Sequence, residues 1–215
     1  YQLRVKNVRK WSAETPNLYT LVVSPIQNGG QYAPYEIIQV KVGFRKVEIK
    51  NKQLLVNGQP VLLKGANRHE IDPDAGYNVS EQRMIQDIMM MKRLNINAVR
   101  TCHYPDDPRW YDLCDKYAKQ IMERNQHNVS MFFNHPSIIT WSLGNETVMG
   151  DNFIQAYKWV KSQDKTRPVQ YEQARRGEGT DIFCPMYYPV SACEKYAKDP
   201  NSPMPLIQCE YNHTM

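Results

Sequence analysis

The sequence predicts an α/β protein in which a short all-β segment precedes a parallel sheet flanked by helices. Three observations predict it. Residues 1 to about 45 hold strand-formers and turn chemistry with no helical period. From about residue 46 onward, after a hairpin, short apolar strands alternate with amphipathic helices. Polar residues gather directly after those strands, where parallel α/β folds place their chemistry.

In the first segment, Leu3-Arg-Val5 alternates and residues 18–23 are rich in strand-formers. Asn28-Gly-Gly30 is turn chemistry, and residues 37–42 follow as another strand. So few strands cannot close a sandwich, so residues 1–45 are expected to be part of one. Residues 53–56, the turn Asn57-Gly58 and residues 60–64 then form a hairpin. Residues 61–63 read as the first parallel strand, ending in Gly65-Ala-Asn-Arg-His-Glu70. Ser80 caps a helix from 81 to about 94, whose Met84, Ile85, Ile88, Met89 and Met91 form a core face.

Residues 98–100 form the next strand, ending in Thr101-Cys-His-Tyr-Pro105. Asp107 caps a helix with Pro108 at its first position, burying Trp110, Leu113, Cys114 and Tyr117. Residues 138–143 are a strand, and the helix after it shows Phe153, Tyr157 and Val160 on one face. Strands at 169–171, 182–184 and 206–209 complete the series.

Composition narrows the function classes. With 41% hydrophobic and 23% charged residues in 215, the chain is globular in character rather than disordered. Its richest apolar stretch, Met84 to Met91, is interrupted by Gln86 and Asp87, too short for a membrane helix. The net charge of +5 is scattered and forms no basic stripe, which speaks against a nucleic-acid partner. Five cysteines, an odd number without C-x-x-C spacing, suit reduced, buried thiols. Both ends read as cut, so a piece of a longer protein is expected. No charged-then-apolar stretch follows Tyr1, so any targeting signal is expected to lie outside this chain, and the compartment stays open between cytoplasm and periplasm.

Parallel strands of a closed barrel would bring their ends to one mouth. His69, Glu70, His103, Asn145, Glu146, Met186, Tyr187, Tyr188, Glu210 and His213 all follow such strands. Two carboxylates facing one cavity are the minimum machinery for cleaving a glycosidic bond, one protonating the leaving oxygen and the other ionised. Taken singly, each residue has a structural reading as well. A lone Glu at a strand end is as often a salt-bridge partner, and a lone His is more often a hydrogen-bonded wall.

Together these residues sit in recognisable motifs. Gly65-Ala-Asn-Arg-His-Glu70, Arg100-Thr-Cys-His-Tyr-Pro105, Asn134-His-Pro-Ser137 with Trp141-Ser-Leu-Gly-Asn-Glu146, Cys184-Pro-Met-Tyr187 and Cys209-Glu-Tyr-Asn-His213 resemble glycoside hydrolase family 2. Within it they are most similar to the bacterial β-galactosidases. Trp11-Ser, Pro16-Asn-Leu-Tyr19 and Val42-Gly-Phe-Arg45 resemble the end of the family's immunoglobulin-like domain just before its barrel.

The resemblance implies a TIM (β/α)8-type barrel, incomplete in this chain, preceded by the C-terminal part of an immunoglobulin-like β-sandwich. It implies a retaining enzyme that cleaves terminal β-D-galactosyl residues by double displacement. By motif match Glu146 is the acid/base and Glu210 the nucleophile, while Asn145 bonds the sugar's 2-hydroxyl. His69, His103, Tyr187, His213 and, as a wall, Met186 are substrate-binding. Glu146 would also ligate Mg2+. A family relative acting on β-glucuronides or β-mannosides, or a catalytically incomplete carbohydrate-binding fragment, is the alternative. The partner implied is a β-galactoside, with homo-oligomer formation possible in the full-length protein.

One departure bears on the metal. After Tyr117, relatives continue into a third barrel strand and an Asp-Glu-Ala-Asn-Ile-Glu-x-His motif that supplies a Glu and a His to magnesium. Here residues 118–126 lead almost directly to Asn134-His-Pro-Ser137. The third strand and both ligands are therefore expected to be missing, through residues left out of the numbering, a truncated gene product or a cut fragment. Residues 123–129 resemble the helix before the Trp141 strand, which would put Glu123 and His127 on that helix. The eighth strand is also expected to be missing. Retention further requires the two carboxyl groups about 5–5.5 Å apart, with Glu146 against Trp141 as the less hydrated of the two.

Overall fold

The computed structural model describes residues 4–24, 37–117, 120–124 and 126–212, with the backbone alone described from 120 to 128. The N-terminal segment is all β. Strands β1 (Tyr19–Val23) and β2 (Ile38–Val42) pair antiparallel, Tyr19 opposite Val42. Leu3 and Asn28-Gly-Gly30 lie outside the described residues. Trp11 is fully buried, and its indole N–H donates to the carbonyl of Asp115 at 3.1 Å, fastening this segment to the helical layer. Arg45 serves the same end, donating to the carbonyls of Pro136 and Ile138.

A three-stranded antiparallel meander follows: β3 (Val47–Lys50), β4 (Gln53–Val56) and β5 (Gln59–Pro60). Its turns are two-residue loops at Asn51-Lys52 and Asn57-Gly58, all four residues with positive φ, as the twist of a tight hairpin demands. Val47, Leu54 and Val56 pack on Ile139, with Val61, Leu63 and Ile207 around them.

The parallel sheet comprises β6 (Gly65–Arg68), β7 (Ala98–Thr101), β8 (Gln120–Arg124), β9 (Ile138–Ser142) and β10 (Val169–Gln170), neighbours in sequence order and all parallel. Helices α1 (Glu81–Arg93), α2 (Pro108–Tyr117), α3 (Gln126–Phe132) and α4 (Asp151–Gln163) supply the crossovers. Beyond β10, single parallel bridges at Gln170–Ile182, Phe183–Leu206 and Met186–Glu210 extend the series through two more positions, with α5 (Val190–Lys198) between them. β9 is buried along its whole length, as a strand covered on both faces should be.

The helices form where their caps and apolar periods place them. The Ser80 hydroxyl accepts from the Arg83 N–H at 3.2 Å, and Met84, Ile88 and Met91 are buried at helical spacing. The Asp107 carboxylate accepts from the Arg109 N–H at 2.9 Å, with Pro108 opening α2, whose Trp110, Tyr111, Leu113 and Cys114 are buried. The core runs from these side chains through Val99, Ile138, Trp141 and Val160 to Tyr171.

Three expectations need correction. The first parallel strand is Gly65–Arg68, not residues 61–63. The apolar run at 61–63 alternates instead, Val61 and Leu63 packing on the meander's core while Leu62 is 76% exposed. Asn97 fixes this offset, its side chain bonding the Lys64 N–H and the Leu62 carbonyl. The third strand is also present: Gln120–Arg124 lies between β7 and β9. Two parallel neighbours would otherwise present unpaired N–H and C=O groups to each other, and five residues satisfy both edges. Glu123 consequently stands on a strand, opposite Trp141, rather than on a helix. His127 does lie on a helix, α3. The eighth strand has no counterpart among the described residues.

Candidate active site

Glu210 is the best-held carboxylate at the strand ends. It follows the seventh strand position, where its carbonyl accepts from the Tyr187 N–H at 2.8 Å. Its side chain is engaged at both oxygens. Arg100, at the end of β7, donates to Oε1 at 3.1 Å, and the Tyr187 hydroxyl donates to Oε2 at 2.5 Å. Burial works against the Glu210 charge, but the bonds from Tyr187 and Arg100 and the guanidinium charge outweigh it and hold the carboxyl below its usual range. The same bond acts in reverse on Tyr187, whose phenol is pushed up to about 12, by the bond to Glu210 first and with the Glu146 charge contributing. Both carboxylates are thus within electrostatic reach of one hydroxyl.

Arg100 also donates through Nη2 to Asn145 Oδ1 at 2.8 Å, so one guanidinium links the residue before Glu146 to Glu210. At 6% exposure it is well placed to hold both side chains in fixed geometry. Below it lie the buried thiols of Cys102, Cys184 and Cys209, all free. Burial pushes the Cys102 thiol up to about 11, so it is neutral at ordinary pH.

His69 and His103 meet edge to face, ring centroids 5.3 Å apart. They line one open cavity with Arg100, Glu210 and Tyr211, bounded by Gly65, Ala66 and Asn67 on one side and residues 205–212 on the other, where no eighth strand lies among the described residues. Behind the histidines Arg68 faces three carboxylates, Asp87 at 3.1 Å, Glu70 at 3.8 Å and Asp106 in direct contact, with Trp110 stacked on the guanidinium. Burial first, and the neighbouring Glu70 and Asp87 charges next, push Asp106 up to about 7 against the pull of Arg68.

Asn145 and Tyr187 join this site through Arg100 and Glu210 rather than by lining the cavity. Met186 is half-buried, packed on the cluster of Ile182, Cys184 and Cys209, and makes the backbone bridge to Glu210. His213 lies outside the described residues. Glu146 is exposed while Glu210 is half-buried, which reverses the expected order of hydration. Trp141 is fully buried and bonds Asp164 through its indole N–H at 2.8 Å.

Glu146 has positive φ (48°), as does Tyr187 (49°), a region that residues with a Cβ seldom occupy. Sequence inspection missed Arg100 as a site residue, although it opens a motif. It also missed the buried Glu172, whose carboxylate accepts from the Glu146 N–H at 2.5 Å. Among the described residues no three His, Cys, Asp or Glu side chains converge to hold a metal ion.

Comparison with known proteins places these features. The description "Glycosyl hydrolases family 2, TIM barrel domain" matches residues 47–122 and 116–215, and "Glycosyl hydrolases family 2" matches residues 1–45. A β-galactosidase of Photobacterium profundum is 42% identical over 252 residues, covering 99% of this chain and 24% of that protein. One from Psychromonas ingrahamii is 39% identical over 258 residues, covering all of this chain and 25% of its own. The chain thus spans about a quarter of the length of the curated relatives it matches. Those alignments are longer than the 215 residues here, and the barrel match breaks at 116–122, where β8 begins. Among solved structures, a β-glycosidase from Bacteroides vulgatus superposes with a TM-score of 0.83 at 23% identity over 95% of this chain and 30% of that one. A β-galacturonidase from Eisenbergiella tayi gives 0.81 at 23% over 96% and 44%. With family matches reaching from residue 1 to residue 215 and a barrel shared with these glycosidases, the chain belongs to glycoside hydrolase family 2.

Proposed function

We propose that the protein is a retaining β-galactosidase in which Glu210 is the nucleophile and Glu146 the acid/base. The observation that supports this best is the pairing of Glu210 with Arg100 and Tyr187, which keeps the carboxylate ionised beside a cavity lined by two histidines. The curated relatives named β-galactosidase supply the choice of sugar.

In the first step a Glu210 oxygen attacks the anomeric carbon while the glycosidic C–O bond breaks. The Glu146 carboxylic acid donates its proton to the departing oxygen. Positive charge develops on the sugar ring as this happens, and the fixed negative charge of Glu210 stabilises it before the covalent bond is complete. In the second step water attacks the same carbon, Glu146 takes its proton, and the ester to Glu210 breaks. Two inversions leave the configuration unchanged. Tyr187 and Arg100 hold the Glu210 carboxylate in each resting state and take up its charge again on release. Asn145, fixed by Arg100, presents its amide N–H to the sugar's 2-hydroxyl, and His69 and His103 bind the remaining hydroxyls.

The test is hydrolysis of nitrophenyl β-galactoside, β-glucuronide and β-mannoside by the natural full-length polypeptide. A preference for the galactoside in kcat/KM supports the proposal. Preference for either other sugar assigns the site to that relative's substrate class instead, and no hydrolysis of any supports an inactive carbohydrate-binding role.

A further inference from the structure

The Glu146 side chain is exposed, so side-chain packing does not aim it. Its direction is set by its backbone, which sits at φ 48°. Relaxation to negative φ would swing the Cα–Cβ bond and carry the carboxyl away from its present place. Two adjacent residues after β10 oppose that relaxation. Glu172, 7% exposed, accepts the Glu146 N–H at 2.5 Å, and the hydroxyl of fully buried Tyr171 donates to the carbonyl of Thr147. Tyr171 and the strand before it are anchored themselves. Tyr171 stacks on Phe153 of α4, centroids 4.2 Å apart and planes 11° from parallel. The preceding Gln170 carbonyl accepts the Leu143 N–H at 3.0 Å, locking the two strand ends together.

From this clamp we infer that Glu172 and Tyr171 are positioning residues for the acid/base, holding the chain on both sides of Glu146 so that its carboxyl faces the glycosidic oxygen. The inference rests on Glu146 being the acid/base. A carboxylate is the strongest acceptor available to a backbone N–H, and a buried one has little other freedom. Neither residue touches the sugar in this account. Their effect is confined to the proton transfers that Glu146 performs.

That confinement makes the inference testable. In the natural full-length polypeptide, Glu172→Ala, Glu172→Gln and Tyr171→Phe are assayed on two glycosides of one sugar. An alkyl glycoside needs protonation of its leaving group, and a dinitrophenyl glycoside does not. Glu172→Ala and Tyr171→Phe should lower kcat/KM for the alkyl glycoside by about 100-fold, and for the dinitrophenyl glycoside by less than about threefold. Glu172→Gln keeps an acceptor oxygen and should recover most of the loss. Equal losses on both substrates, or none on either, overturn the inference. Tyr171→Phe preserves the stack on Phe153 and decides the matter if Glu172→Ala does not fold. Glu146→Ala is run in parallel. If it shows no leaving-group dependence, the acid/base assignment itself fails. If it does and the clamp variants do not, only the clamp is wrong.

Discussion

Arg100 and Glu210 are 110 residues apart in sequence and 3.1 Å apart in the fold, joined across the mouth of the sheet. The pair is largely buried, with side-chain exposures of 6% and 12%. After the Tyr187 bond, the Arg100 bond and charge are what hold the Glu210 carboxyl below its usual range.

Arg100→Met should leave Glu210 with Tyr187 alone. The carboxyl then rises from its depressed position, and the acid limb of the kcat/KM profile moves to higher pH. Stability at neutral pH should fall by about 3–5 kcal/mol, the usual cost of orphaning one member of a buried pair. Because the Glu210 pKa is depressed in the fold, its stabilising contribution is present above the unfolded carboxylate pKa and lost as pH falls through the folded one. Urea titrations at neutral and acid pH should therefore show the variant losing less stability on acidification than the parent. An unmoved acid limb contradicts the account of Glu210.

Tyr187→Phe removes the second donor to Glu210 without removing a charge. Tyr187 is 46% exposed, so the effect on folding should be small. Because this bond holds the Glu210 carboxylate in place, single-turnover kinetics should show glycosylation slowed by roughly 10- to 100-fold.

Asp106→Asn addresses the cluster behind the histidines. One Arg68 guanidinium cannot neutralise Glu70, Asp87 and Asp106 together, and the buried Asp106 is pushed up to about 7. A carboxyl raised in the fold binds its proton there at pH values where the unfolded chain has released it. Its contribution is therefore fully present below the unfolded pKa and lost as pH rises through about 7. The amide variant has no such loss, so thermal melts at pH 5 and pH 8 should show a smaller difference for it than for the parent. An equal difference would place the proton elsewhere in the cluster.

Much of the fold was legible because its signals are local. Ser80, Asp107 and Pro108 mark helix starts, and the apolar run at 138–143 can only be a covered strand. What failed depended on neighbours. Residues 61–63 look like a strand, yet Asn97 shifts the pairing to Gly65–Arg68. Residues 123–129 resemble a helical segment, yet the open edges of β7 and β9 draw Glu123 and Arg124 into the sheet, and the helix begins only at Gln126. At the site the same division holds. Glu146 and Glu210 stand in motifs that can be read directly. Arg100 shows its role only when the fold brings Asn145 and Glu210 to its two nitrogens, and Glu172 only when β10 lies beside β9. The exposure of Glu146 was equally hidden, and Trp141 instead bonds Asp164 in the core.

The assignment of Glu210 as nucleophile is tested most directly by trapping the covalent intermediate. A 2-deoxy-2-fluoro β-galactoside with an activated leaving group should inactivate the full-length protein, because fluorine slows both steps and the good leaving group rescues only the first. Peptide mass spectrometry of the digest should then place the sugar on Glu210, within Cys209-Glu-Tyr. A label on Glu146, or inactivation with no label on either glutamate, would contradict the roles given to both.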